Sequence, residues 1–263
     1  MMKKALLVAI ITLKFVIVFA QTEAEKFKNK NLADSFLSSK ELKSKLIRYD
    51  YSKLFITTDN SFVYGFIGDK FQRIRIKIIS IVKNSSLPNT YNVYGKSMVK
   101  NNINEFRGTI KITNIRKYKK TSFGVDDELK DKGIKGEYLL IGSYNLAEAT
   151  KQEHAGAFKG AFTSGFYLDK NNSVYYDDIN KNADGYLNNQ FTGQWISHNN
   201  KIIKRCNWGD YRIPNSKGFD IGAGEFSPDN KYLPAGWQTL RDAYTSSVNK
   251  TKALQIEKAK WWE

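Results

Sequence analysis

The sequence predicts a mostly β protein: an antiparallel meander of about 8–10 strands that closes into a barrel, with a helix at each end. Three observations predict this fold. Short runs of β-branched and aromatic residues alternate with polar residues through the centre of the chain. Asn-rich turns, such as Asn101-Asn102 and Asn171-Asn172, separate those runs. Glycines recur inside the runs, where they permit the bends that a barrel needs. A β-sandwich is the alternative.

Composition limits the classes to which the chain can belong. It has 263 residues, of which 41% are hydrophobic and 14% aromatic, enough to build a core, so a disordered chain is excluded. One Cys excludes a disulfide scaffold and a cysteine-rich zinc site, and two His exclude a polyhistidine metal centre.

Residues 1–20 predict a signal peptide. Lys3 and Lys4 precede an almost wholly apolar run that ends in Ala20, after which we expect cleavage. An uncleaved anchor is the alternative. No second apolar run of about 18 residues follows, so the mature chain is predicted to lack a transmembrane span and to be secreted or periplasmic.

The rest of the chain divides into three predicted segments. Residues 21–52 have helical spacing, with Ser38 and Glu41 as a capping box. Residues 53–237 form the barrel domain, and residues 238–263 a helix that packs on it. The predicted strands are Leu54–Thr57, Phe62–Ile67, Phe71–Val82, Tyr91–Val99, Glu105–Ile115, Glu137–Leu146, Ala157–Leu168, Val174–Asp177, Gln190–Ser197 and Lys201–Asn207.

The clearest strand, Phe71–Val82, carries isoleucines on one side and basic residues on the other, which predicts a solvated basic face of Arg73, Arg75 and Lys77. The whole chain has a net charge of +16. That charge fits an anionic partner, but a Lys, Asn and Ile excess is also typical of AT-rich coding sequence. No motif for sequence-specific nucleic-acid binding is present.

A short motif, aromatic-x-Gly-x-large apolar, occurs at Phe106–Ile110, Phe158–Phe162 and Phe191–Trp195. Flanking aromatics share a face with the glycine and can cover it, so Gly160 and Gly193 are predicted to be bend positions. In general architecture the pattern resembles lipocalin-like (calycin-type) barrels. No site residue is carried over from that resemblance.

The densest group of unusual residues lies between Cys206 and Trp237. Aromatic faces beside carboxylates suit a sugar, and the predicted ligand-binding residues are Trp208, Asp210, Tyr211, Arg212, Asp220, Glu225 and Trp237. If the indoles are open to a ligand, Trp208→Ala should melt close to the parent. In the structural alternative the segment seals a barrel end, Arg212 pairs with Asp210 or Asp220, and the tryptophans belong to the core.

Two weaker candidates are an acid–base pair and a calcium loop. Asp210, Asp220 and Glu225 could supply the two carboxylates of a glycosidase. Asn180, Asn182 and Asp184 match the start of a calcium loop whose twelfth position, Phe191, is not acidic. We also predict that His154 and His198 lie on the surface. Cys206 is predicted either to be buried or to bridge two chains.

Together these features predict an exported, non-catalytic binding protein for a glycan or a small amphipathic ligand. The alternatives are a glycan hydrolase and a structural cell-envelope protein that binds an anionic surface polymer. No cofactor is expected apart from the candidate calcium ion.

Overall fold

Nine antiparallel strands form the centre of the molecule. The computed structural model describes residues 22–263. The strands are β1 (Val63–Ile67), β2 (Gln72–Lys83), β3 (Thr90–Val99), β4 (Asn102–Lys117), β5 (Ile134–Glu148), β6 (Gly156–Asp169), β7 (Val174–Tyr176), β8 (Asn188–Ser197) and β9 (Ile203–Asp210).

Eight of these strands close into a barrel. Strands β1 to β6 pair in chain order, β6 continues to β8, β8 pairs with β9, and β9 returns to β1. The ninth strand, β7, pairs with the C-terminal end of β6, beyond the part of β6 that pairs with β8. The predicted barrel is therefore confirmed, and its architecture is consistent with a calycin-like barrel.

The predicted strand at Leu54–Thr57 is wrong. Residues Ser52–Phe55 and Asn60–Phe62 form two 3₁₀ turns, and the first strand begins only at Val63. Leu54 and Phe55 are buried against the barrel core. These two apolar side chains close a barrel end. In the sequence, a short apolar segment of this kind cannot be distinguished from a short strand by its periodicity.

The N-terminal segment is less helical than predicted. Helix α1 (Glu23–Leu32) begins with a capping box formed by Thr22 and Glu25, and α2 (Lys43–Leu46) is a single turn. The capping box predicted at Ser38 and Glu41 is wrong, because this part of the chain pairs with β4. The Glu41 carboxylate accepts hydrogen bonds from the Lys43 and Ile115 amides at 2.6 and 3.0 Å.

Side chains fill the barrel interior. A Cβ atom at Gly160 would lie 2.1 Å from the Thr192 carbonyl oxygen and 2.7 Å from the Tyr144 hydroxyl, and Gly193 is equally confined. These two glycines face each other across β6 and β8 and leave room for the Tyr144 ring. The largest side chains of the core include Phe106, Phe158, Phe162, Phe166, Phe191, Trp195 and Trp208.

A buried carboxylate lies at each end of the barrel interior. At the first end, Glu148 accepts hydrogen bonds from the Ser97 hydroxyl (2.6 Å), the Trp195 indole (2.9 Å) and the Gly156 amide (2.8 Å). At the opposite end lies Asp210. We call these the Glu148 end and the Asp210 end.

The C-terminal residues form two helices, α3 (Gln238–Tyr244) and α4 (Lys250–Lys258), in place of the single predicted one. They cover part of the β2 face that was predicted to be solvated. Arg73 and Arg75 are both buried and both bind Glu257 of α4, at 2.5 and 2.9 Å. Glu257 is buried, yet the hydrogen bond and charge of Arg73 hold its pKa below the ordinary value.

Within residues 22–263, none of the helices is long and apolar enough to cross a membrane. The predicted signal peptide lies outside the described residues.

Candidate functional site

The two tryptophans of the predicted ligand site are buried apart from each other. Trp208 points into the barrel, where it stacks on Phe191 at a ring distance of 4.7 Å. Trp237 lies outside the barrel in a second apolar cluster, and its indole donates to the Phe71 carbonyl. Their exposed fractions are 2% and 0%. Neither indole offers an open face, so the expectation of an exposed tryptophan platform is corrected.

Asp210 is part of the barrel end. Its Oδ2 accepts hydrogen bonds from the Thr58 hydroxyl (2.6 Å), the Tyr176 hydroxyl (2.8 Å) and the Asn189 amide (2.7 Å). Burial raises its pKa to about 6 in spite of these donors. The cavity beside it holds about 30 Å³, room for about one water molecule.

Arg212 and Asp220 hold the loop that follows β9. The Arg212 guanidinium binds the Asp220 carboxylate at 2.7 Å and donates to the carbonyls of Gly222, Ala223 and Gly224. The predicted pairing of Arg212 with Asp220 is confirmed. Asp220 also accepts hydrogen bonds from backbone amides of its own loop. Asp210, Asp220 and Glu225 therefore do not face one another across a cleft.

Among the predicted ligand-binding residues, Tyr211 and Glu225 reach a large opening. Both line a cavity of about 510 Å³ on the outside of the barrel near the Asp210 end. We call it the aromatic groove. Its walls come from the start of β1, the loop at residues 181–186, the loop at residues 224–228 and helix α3, and its aromatic side chains are Phe62, Tyr64, Tyr186, Tyr211, Phe226 and Tyr244.

The groove is built on a constrained backbone. Tyr211 has φ +63°, a left-handed conformation that costs a non-glycine residue about 1–3 kcal/mol. Its amide donates to the Phe62 carbonyl at 2.8 Å, and its ring stacks on the Phe62 ring at 5.3 Å. Lys181 lies 5.9 Å from the same ring. The Tyr211 ring is thus fixed in the groove wall before any ligand arrives.

The candidate calcium residues contact three different neighbours. Asn180 accepts a hydrogen bond from the Ser122 hydroxyl at 2.9 Å, Asn182 lines the aromatic groove, and Asp184 lies against Gly224. Among residues 22–263 there is no group of three or more His, Cys, Asp or Glu side chains placed to hold a metal ion. Calcium binding stays a prediction.

The structure also gives the positions of the single cysteine and the two histidines. Cys206 is fully buried in the barrel core, the first of its two predicted alternatives. His154 and His198 are exposed, as predicted.

A second opening contains residues that the sequence did not single out. This cavity, of about 490 Å³, lies on the outer face of β5 and β6, also near the Asp210 end. We call it the carboxyl cleft, because Glu137 and Asp177 both line it. Tyr186 lines the cleft and the aromatic groove, so the loop at residues 177–187 separates the two.

Only weak signals in the sequence marked the carboxyl cleft. Glu137 is an acid directly before the apolar run 138–141 of β5, and Asp177 follows the last residue of β7. The strand pattern places each acid but does not bring them together. Their proximity depends on β7 folding back onto the end of β6.

Searches against family models, curated proteins and solved structures found no match to this chain.

Proposed function

We propose that this protein is an exported, non-catalytic binding protein, and that it holds a glycan or a small amphipathic ligand in the aromatic groove. The observation that carries the proposal is the groove itself, in which six aromatic side chains surround an opening of about 510 Å³. Pockets of that size, mostly apolar with a few polar groups, are typical of small-molecule sites.

The rim supplies polar groups of both signs. Lys181 and Glu225 are exposed at the edge, and Asn182 and Arg241 also line the opening. Tyrosine faces pack against the apolar side of a sugar ring or an acyl chain, and the polar rim bonds hydroxyl or charged groups. Export is supported by the apolar run that ends in Ala20.

The groove is also held in one shape. Arg212 fixes the 220–225 loop by its ion pair and three carbonyl contacts, and Tyr211 is supported by Phe62. A preformed site loses less conformational entropy when a ligand binds, which favours binding.

Calorimetric titration tests the proposal, with chitotetraose, cellotetraose and the amphipathic dye 1-anilinonaphthalene-8-sulfonate as probes. We expect at least one probe to bind, and Tyr211→Ala or Tyr244→Ala to weaken it about tenfold, since one aromatic contact is worth about 0.5–1.5 kcal/mol beyond its area. Tyr175→Ala is the matched control, because Tyr175 is 44% exposed and lies outside the groove. Absence of binding for every probe, or equal loss in the control, would contradict the proposal.

A further inference from the structure

The carboxyl cleft has a floor of strand residues and walls made by loops. Leu139 of β5 and Thr163 and Gly165 of β6 form the floor. The walls come from residues 35–36, residues 118–122 and the loop at residues 177–188. The mouth has two open apolar side chains, Phe36 (74% exposed) and Leu187 (49% exposed), beside the exposed Lys119 and Lys120.

The two carboxylates lie close together on this floor. Gly165 is paired with Leu139, and a Cβ atom at Gly165 would lie 3.4 Å from an Asp177 carboxylate oxygen. Glu137 is two residues from Leu139 and is therefore the diagonal neighbour of Gly165 on the same face. Diagonal neighbours of an antiparallel pair lie roughly 7–8 Å apart, with their Cβ atoms somewhat closer. Both acids thus face one small volume.

Within residues 22–263 neither carboxylate has a cationic partner within 4 Å. Glu137, only 6% exposed, accepts one hydrogen bond, from the Ser122 amide. Asp177 accepts one long hydrogen bond, 3.4 Å from the Ile179 amide. Burial raises the pKa of Glu137 to about 7 and that of Asp177 to about 6, and the charge of Asp177 adds to the effect on Glu137.

The floor offers hydrogen-bond acceptors, while the side-chain amide donors that line it are already used. The Asn188 amide group donates to the carbonyls of Gly165 and Asp177, and the Gln190 amide group donates to those of Asn188 and Arg212. The Thr163 hydroxyl, in a residue only 5% exposed, has no partner among the described residues and lines the cleft.

We propose that the carboxyl cleft binds a small molecule that carries a primary ammonium group, with the ammonium held between Glu137 and Asp177 and an apolar body lying against Leu139 and Phe36. An ammonium has three donors and no acceptor, which matches a floor of free acceptors. Its charge compensates two partly desolvated carboxylates that the chain itself leaves without a cation. This site is separate from the aromatic groove and does not depend on the function proposed for it.

Binding of a cation requires ionised carboxylates, so affinity rises with pH. We expect affinity for an amine to be at least about tenfold higher at pH 8 than at pH 5, because both acids are largely protonated at the lower pH. Tyr118 and Tyr186 also line the cleft, and burial raises the pKa of each, so they stay protonated over that range. The other charged groups near the cleft, Lys119, Lys120 and Asp178, are all exposed.

The test compares two amines with matched neutral analogues by calorimetry at pH 8 and pH 5. The pairs are phenethylamine with 2-phenylethanol, and hexylamine with 1-hexanol, and both amines are protonated at pH 8. Binding by either amine supports the proposal, and the tighter one shows whether an aryl or an alkyl group is the better apolar body. Neither amine binding, or neutral analogues binding equally well, overturns it.

Variants locate the binding. Glu137→Gln and Asp177→Asn should each weaken amine binding at pH 8 about tenfold or more, since a hydrogen bond to a charged group is worth about 1.5–3 kcal/mol. The matched control is Asp131→Asn, at an exposed acid outside the cleft. Should Glu137→Gln fail to fold, Asp177→Asn decides alone. Unchanged affinity in Asp177→Asn overturns the proposal.

Discussion

The barrel interior and its outer flank at the Asp210 end differ in how tightly their side chains are packed. Inside, aromatic rings are packed against one another, and the cavity next to Asp210 has room for about one water molecule. On the flank, two cavities of about 500 Å³ each remain between loops. A calycin-like barrel suggests a ligand inside, but here the available surface is outside.

The carboxylates of the two regions show the same contrast. Glu148 and Asp210 each accept three hydrogen bonds from groups of the chain. Glu137 and Asp177 each accept one and have no cation within 4 Å among residues 22–263. The fold already uses Glu148 and Asp210 as hydrogen-bond acceptors, whereas acids left with free lone pairs in an open cleft are available to a ligand.

The largest expected effect belongs to the interior. Trp208→Ala should lower the free energy of unfolding by about 3–5 kcal/mol, as large-to-small core changes do. Tyr244→Ala in the groove wall should cost much less, because Tyr244 is 46% exposed. Urea unfolding of the two variants measures the difference. Equal losses would show that the interior is not the tighter region.

Adding a side chain to the barrel interior tests its packing by the opposite change. Gly160→Val should destabilise by about 3 kcal/mol, because its Cβ atom would meet the Thr192 carbonyl oxygen and the Gly193 Cα atom, and neither can move without opening the barrel. Gly218→Val is the control, since a Cβ atom at Gly218 would meet nothing within 4 Å. Thermal melting compares them. A Gly160→Val protein as stable as the Gly218 variant would deny the glycine pair a structural role.

Arg212→Ala tests how the loop beside the aromatic groove is held in place. Loss of the guanidinium leaves Asp220 and three carbonyls without their partner and should cost about 1–3 kcal/mol. Because Arg212 holds the 220–225 loop, we also expect faster proteolysis there and weaker binding in the aromatic groove. Limited proteolysis with mass spectrometry measures the first effect. Unchanged cleavage of that loop would show that other contacts fix the groove.

The smallest effect is a pH dependence. In the folded state the pKa values of Asp177 and Glu137 are raised to about 6 and about 7. The folded state then binds more protons than the unfolded state between the ordinary carboxyl pKa, about 4, and these values, so their contribution to stability falls as pH rises through that window. Asp177→Asn should reduce the loss of melting temperature between pH 5 and pH 8, while Asp131→Asn should not. An unchanged slope in Asp177→Asn would contradict the raised pKa.

Sequence alone predicted the regular part of the barrel well. The alternation of apolar and polar residues predicted the bounds of β2 to β9 within a few positions, because a strand with one buried face has this two-residue period. It failed where tertiary contacts override local pattern. Arg73 and Arg75 fit a solvated strand face, but Glu257, about 180 residues later in the chain, buries them.

The candidate site shows the same limit. Aromatic content correctly singled out Tyr211 as a residue at an opening, yet could not distinguish it from Trp208, which points inward three residues earlier. Asp210, directly before Tyr211, ends β9, and the direction of the chain beyond it depends on the left-handed backbone of Tyr211. No local signal in the sequence predicted that conformation, nor the meeting of Glu137 with Asp177.

We propose that ligands bind on the outer flank of the barrel and not inside it. Amide chemical shifts of ¹⁵N-labelled protein, recorded while 1-anilinonaphthalene-8-sulfonate or chitotetraose is added, test it most directly. We predict that shifts move at residues 181–186, 211, 224–228 and 240–245, and stay fixed at inward positions such as Phe106, Phe158 and Phe191. Shifts concentrated at those inward positions would contradict the claim.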